Sequence, residues 1–237
     1  MTQFKKTLSS LGVCAALMMA AQANAANDAT LKVVGNIVPA ACTPTLSSDG
    51  EVSFGTIAAS AIENAPSGNS LVQLGSKDVV LSISCEAKTA VGFNMVDNRA
   101  SSAVALNATT FIDPVFPGST SADQAYFGFG LGLASNNAKI GAYSVSLNVA
   151  LAVADGEEAD VIISDNAGST WRSGKNARQL NNAERVATFA EESSTQPMMF
   201  KEASLPLKVS AAVQPSSVLG GDEVILDGNA TVSLVYL

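Results

Sequence analysis

Tyr143-Ser-Val-Ser-Leu-Asn-Val-Ala-Leu151 is the longest alternating run in the chain. Tyr143, Val145, Leu147, Val149 and Leu151 recur every second residue, the period of a β-strand with one buried face. Shorter runs repeat the pattern on both sides. Val79, Leu81, Ile83 and Cys85 share one face, and a tight connection leads into residues 90–96. Val52 and Phe54 align in residues 51–57. Further strand candidates are 161–164, 185–190, 205–213, 224–226 and 231–237, with Asp155-Gly156 as a turn. No long stretch carries a helical period. This count of short strands, with no fixed repeat and no linker, predicts one all-β domain: an antiparallel β-sandwich with Greek-key connections.

Tyr126 to Leu133 is a special case. Phe127, Phe129, Leu131 and Leu133 fall on one face and Gly128, Gly130 and Gly132 on the other. The expected structure is a strand whose glycine face admits another backbone. It is not a nucleotide fingerprint, because the third position is Leu133 and no helix pattern follows. Residues 168–175 fail as a phosphate loop, with five residues between Gly168 and Gly174 and Asn176 where a hydroxyl is required. The acids Asp155, Glu157, Glu158 and Asp160 match no calcium-loop spacing and read as a solvated hairpin tip.

Composition narrows the chemistry. The 237 residues include no His, 13 basic and 21 acidic side chains, and 14% charged residues in all. Without His, neither a Ser-His or Cys-His nucleophile nor a His-based zinc site can be built. The net charge of −8, with no basic cluster, opposes nucleic-acid binding. An enzyme would have to work with carboxylates, Lys or Tyr, and no local feature selects a catalytic set. The expectation is a non-enzyme with no metal and no cofactor.

Residues 1–25 read as a secretory signal peptide. Lys5 and Lys6 precede an apolar stretch from Leu8 to about Ala21, and A-x-A exits end at Ala23 and Ala25. The stretch falls short of the roughly 18–20 residues that span a bilayer, so no stable membrane insertion is expected. Cleavage after Ala25 removes Lys5, Lys6 and no acid, taking the net charge from −8 to −10. It also removes Cys14. The two cysteines left, Cys42 and Cys85, would then sit in an oxidising compartment, where an even pair is most simply a disulfide.

The two ends of the mature chain carry the strongest motif. The leading segment alternates through Leu31, Val33, Gly35 and Ile37, then reads Ile37-Val-Pro-Ala-Ala-Cys42. The last residues are Gly228-Asn-Ala-Thr-Val-Ser-Leu-Val-Tyr-Leu237, with Tyr next to last. This layout resembles chaperone–usher fimbrial subunits (pilins), and within them the GltF-like family of secreted proteins associated with fimbrial gene clusters. The resemblance implies a first disulfide, at Cys42 and Cys85, and an immunoglobulin-like fold lacking its last strand. It implies a donor-strand extension at 26–34 and a sandwich domain at 35–237. Leu31, Val33, Gly35 and Ile37 would be donor-strand residues. Val232, Leu234 and Tyr236 would line the groove, and a chaperone would hold the carboxylate of Leu237. The implied partners are a periplasmic fimbrial chaperone, an outer-membrane usher and neighbouring fimbrial subunits. The implied location is the periplasm and then a cell-surface fimbrium. The leading segment is shorter than many pilin extensions, and its residues could also form an ordinary first strand. The competing function is a tip adhesin or soluble periplasmic module that binds a glycan or surface through loops 98–124 and 165–183, with Trp171 as the stacking residue.

Overall fold

The computed structural model describes residues 30–38 and 40–237. The signal segment 1–25, its exits at Ala23 and Ala25, and Pro39 lie outside the described residues. Residues 38–237 form one compact unit. The described part of the leading unit, residues 30–37, has no regular secondary structure and exposes Leu31, Val33 and Ile37. Among the described residues, no helix is long and apolar enough to cross a membrane.

Twelve strands build the compact unit: β1 (Cys42–Leu46), β2 (Val72–Thr89), β3 (Val91–Asp97), β4 (Phe129–Gly130), β5 (Gly141–Leu147), β6 (Val153–Ala154), β7 (Glu157–Glu158), β8 (Asp160–Ser164), β9 (Arg172–Ser173), β10 (Val186–Ala190), β11 (Phe200–Val213) and β12 (Ala230–Tyr236). One sheet runs β1-β2-β11-β5-β4, with β6 and β7 attached at its side; the other runs β12-β3-β10-β8-β9. Each pair of strands is antiparallel. The protein is thus an all-β antiparallel sandwich. Its core is filled by the inward residues of the alternating runs: Leu81, Ile83, Val145 and Leu207 from one sheet, Phe93, Ile163 and Phe189 from the other. The only α-helix described, α1 (Ser216–Leu219), is a single turn.

The alternating runs identify the central strands but not their ends. The run at 143–151 is a strand only as far as Leu147; residues 149–151 turn as a 3-10 helix and leave Leu151 exposed. β2 and β11 are longer than expected and bend together at a bulge, where Gly75, at φ +82°, faces Ala211 and Leu74 is the extra residue. The strand expected at 126–133 is corrected to the two residues of β4. Gly132 turns the chain with φ +93°, and Leu133 is half-exposed. The glycine face does admit a backbone: a Cβ on Gly130 would collide with the Arg99 carbonyl oxygen.

Asp155-Gly156 forms the expected turn. Both residues have positive φ, the conformation that a two-residue hairpin with right-handed strand twist requires. Asp155 does more than turn the chain. Its Oδ1 accepts the amides of Lys201 and Glu202, and its Oδ2 pairs with Lys88 at 2.9 Å.

Candidate functional site

Cys42 and Cys85 face each other across β1 and β2 and form a disulfide. The bond pins β1, a five-residue strand at the edge of its sheet. β12 is the edge of the other sheet. The two edges meet at one end, where the Cys42 amide donates to the Tyr236 hydroxyl at 3.0 Å.

Beyond that contact the edges part. After β1 the chain makes a 3-10 turn at Ser47–Gly50 and continues through residues 51–57. There Val52, Phe54 and Ile57 are half-buried and their neighbours exposed. Val52 and Phe54 keep the alternation of a strand and Ile57 falls one residue out of step, yet among the described residues the backbone of 52–57 makes no backbone hydrogen bond. The 51–57 candidate is therefore strand-like over Val52 and Phe54 and, beyond the Glu51 amide that donates to the Ser48 carbonyl, has no backbone partner.

The opposite edge is also unpaired. The Asn98 amide donates to the Asn229 carbonyl, and the Leu237 amide donates to the Ala90 carbonyl. Both lie on the unbroken register of β12 with β3. In an antiparallel pair the bonded positions alternate, so odd-numbered residues bond to β3. The amides and carbonyls of Ala230, Val232, Leu234 and Tyr236 point away from it. Val232 and Leu234 turn their side chains to the core. Val224 and Leu226 continue the inward set, so the alternation of β12 reaches back beyond the strand itself. The strand expected at 224–226 is this unpaired extension; it is tied beside that point by the Asp227 amide on the Leu131 carbonyl.

Between the two edges lies an open groove of about 990 Å³. Val52, Phe54 and Ile57 line one wall, Val224, Leu226 and Val232 the other. Met95, Tyr143, Val145 and Leu207 lie beneath, and Leu219 of α1 closes one end. Burial and the nearby Asp97 push the Tyr143 hydroxyl far above its ordinary pKa, so it stays neutral. The rim carries Asp49, Glu51, Asp222 and Glu223.

The other expected site residues fall as follows. Leu31, Val33 and Ile37 are exposed, and a Cβ on Gly35 would touch nothing. Val232 lines the groove, Leu234 packs on the core, and Tyr236 makes the bond to Cys42. Leu237 is part-exposed at the chain end. Trp171 is half-buried; a Cβ on Gly168 would lie 3.5 Å from its ring and 3.9 Å from Leu237. Trp171 borders a shallow depression of about 280 Å³ with Asp165, Asn166, Thr170 and Arg172. Those polar groups are bonded within the protein: Asp165 to Arg172 and Arg185, Asn166 to Thr170 and Ser164. Arg185 hydrogen-bonding holds the Asp165 carboxyl below its usual pKa, against the opposing effect of burial. What the sequence reading missed is the second wall. Val52 and Phe54 alternate as in a strand, but the lack of a partner for 52–57 is not written in that pattern.

Fold and groove define a class: a disulfide-bonded antiparallel sandwich with two unpaired edges over an apolar groove. The comparisons supply the family. A family model described as "Protein of unknown function (DUF1120)" matches residues 31–144. The chain is 36% identical to Protein GltF of Escherichia coli strain K12, with 99% of each chain covered. It is 29% identical to Uncharacterized protein YhcF of the same strain, covering 95% of this chain and 97% of that one. The chain belongs to the GltF family.

Proposed function

We propose that the protein is a structural subunit of fimbrial type, exported through a cleaved signal peptide and assembled by strand addition. The observation that carries this reading is the pair of unpaired edges flanking one apolar groove. An open edge beside exposed apolar surface is an aggregation hazard that a folded protein normally covers. An added strand would meet both needs, giving main-chain hydrogen bonds to each wall and apolar side chains to the groove. A periplasmic chaperone fills the groove first. An outer-membrane usher then presents the subunit, and the leading segment of a neighbouring subunit replaces the chaperone strand. In this reading the protein binds no nucleic acid and catalyses no reaction.

The test is to express residues 26–237 alone and with a fimbrial chaperone. The expected result is poor yield, proteolytic sensitivity and slow self-association of the chain alone, all relieved in a soluble one-to-one complex with the chaperone. Deleting residues 26–33 should preserve that complex and abolish incorporation into a polymer. A monomer that is stable unaided and ignores the chaperone would overturn the proposal.

A further inference from the structure

We infer that the depression beside Trp171 is a binding site for an acidic sugar, with one pyranose ring stacked on the indole and its carboxylate held by Arg172. The inference stands apart from strand addition, and no residue lining the depression lines the groove.

Charge marks the place. Residues 171–185 hold four cations, Arg172, Lys175, Arg178 and Arg185, against one acid, Glu184, in a chain with 21 acids to 13 bases. Arg178 and Arg185 are buried, and both lie over the Phe127 ring. Arg185 takes both oxygens of Asp165, its Nε donating to Oδ1 at 2.6 Å and its Nη2 to Oδ2 at 3.1 Å. That bidentate pair already satisfies the carboxylate. Arg172 donates its Nη2 to the same Oδ2 at 2.7 Å, so two guanidiniums share one negative charge. Arg172 is the surplus cation. Its side chain is 58% exposed, and Asp165 takes one of its five N–H donors.

The remaining donors decide what fits. The Asn166 carbonyl accepts from the Ser164 hydroxyl and the Thr170 amide, and the Asn166 side-chain amide donates to the Thr170 hydroxyl. Those groups have little left for a neutral sugar. The Arg172 guanidinium is the group with donors to spare, and its planar fork matches a carboxylate. The walls say what carries that carboxylate. Ile163 and Trp171 make an apolar side; Asp165, Asn166 and Thr170 make a polar one. A pyranose has a C–H face for the first and a hydroxyl edge for the second. The volume of about 280 Å³ lies just below the roughly 300–1,000 Å³ of sites for drug-sized ligands, which suits a single ring.

The site is set before a ligand arrives. The Gly168 amide donates to the Ser164 hydroxyl, and Ala167 and Gly168 turn the loop with positive φ. β9 pairs Arg172 with Ile163 of β8, which fixes the guanidinium stem beside the indole. A preformed loop loses little freedom on binding.

Trp171 is the only Trp in the chain, so the fluorescence of residues 26–237 reads this site alone. The probes are glucuronate, glucose and cyclohexanecarboxylate at matched ionic strength. Glucose lacks the carboxylate, and cyclohexanecarboxylate lacks the hydroxyls. The expected result is saturation by glucuronate with a Kd on the order of a millimolar, and binding of glucose weaker by about tenfold or more, the worth of one charge-assisted hydrogen bond. Arg172→Gln should reduce glucuronate to the level of glucose without moving the urea midpoint, because Arg185 still pairs Asp165. Saturation-transfer NMR observed on glucuronate needs no Trp signal, and Trp171→Ala should abolish the transfer to its ring protons. No saturation by glucuronate, or equal affinity for glucose, in the parent chain would overturn the site, and neither outcome depends on how a variant folds. Cyclohexanecarboxylate binding as tightly as glucuronate would overturn the sugar. An undiminished preference for glucuronate in Arg172→Gln would overturn the assigned carboxylate partner.

Discussion

Asp155 shows how one side chain joins turn chemistry to sheet stability. Its positive φ of 51° suits the hairpin tip, and its carboxylate holds two amides of β11 and the Lys88 ammonium. The bond from the Glu202 amide is the largest cause, followed by Lys88 and the Lys201 amide, of a pKa lowered from 3.8 to about 2. A carboxyl with a depressed folded-state pKa stabilises the fold above its unfolded value. That contribution is lost as pH falls from about 4 towards 2. Asp155→Asn removes the titration and keeps a residue that tolerates positive φ. The variant should lose stability at neutral pH, and its stability should fall less between pH 4 and pH 2 than the parent's. Urea midpoints measured across that range would show it; parallel pH profiles for the two proteins would refute the assignment.

At the scale of the element, period-two patterning identifies the strands because each turns its alternate apolar residues into a common core, even where, as in β5 and β10, the other face is buried too. Val79 to Cys85 and Tyr143 to Leu147 were readable for that reason. Patterning failed where something other than burial shaped the backbone. Gly132 turns the chain after Phe129 and Gly130, and the Arg99 carbonyl occupies the space beside Gly130. Neither contact has a signature in local sequence. The loops were legible as loops, but not their internal ties: Arg178 and Arg185 both lie over the Phe127 ring, and Arg185 also bonds the Arg178 carbonyl. The groove was half legible. The shared face of Val232, Leu234 and Tyr236 follows from alternation, although Tyr236 itself is exposed, whereas the unpaired state of 52–57 depends on which strands pair. The parity of β12 gives an experiment. The amides of Ser233 and Val235 point to β3 and should be protected from hydrogen exchange. Those of Val232 and Leu234 point outward and should exchange quickly until an added strand protects them. Equal protection at all four positions in the strand-free protein would mean that the edge is already paired.

For the whole molecule, the Cys42–Cys85 bond joins positions 43 residues apart and encloses the segment that forms one wall of the groove. β1 is only five residues long, has a single sheet neighbour, and reaches the second sheet through the Cys42–Tyr236 hydrogen bond. Without the disulfide, the start of residues 42–57 is held by the short ladder of β1 with β2 and by the Cys42–Tyr236 bond alone, while residues 52–57 have no backbone partner. Closing a loop of this length restricts the unfolded chain by about 4 kcal/mol on the chain-entropy model. That is a large share of the roughly 5–15 kcal/mol that holds a typical domain folded, but less than all of it. The extensive pairing of β2 with β11 and β11 with β5 does not depend on β1. The Cys42→Ser, Cys85→Ser double variant should therefore keep its sheet signal in far-ultraviolet circular dichroism and unfold at markedly lower urea. Its binding of a synthetic peptide of residues 26–38, offered as an added strand, should fall further than its global stability, because the released strand carries a groove wall. Peptide uptake equal to that of the oxidised protein would show that the wall at 51–57 is held in place by its packed side chains Val52, Phe54 and Ile57 and not by the covalent bond behind it.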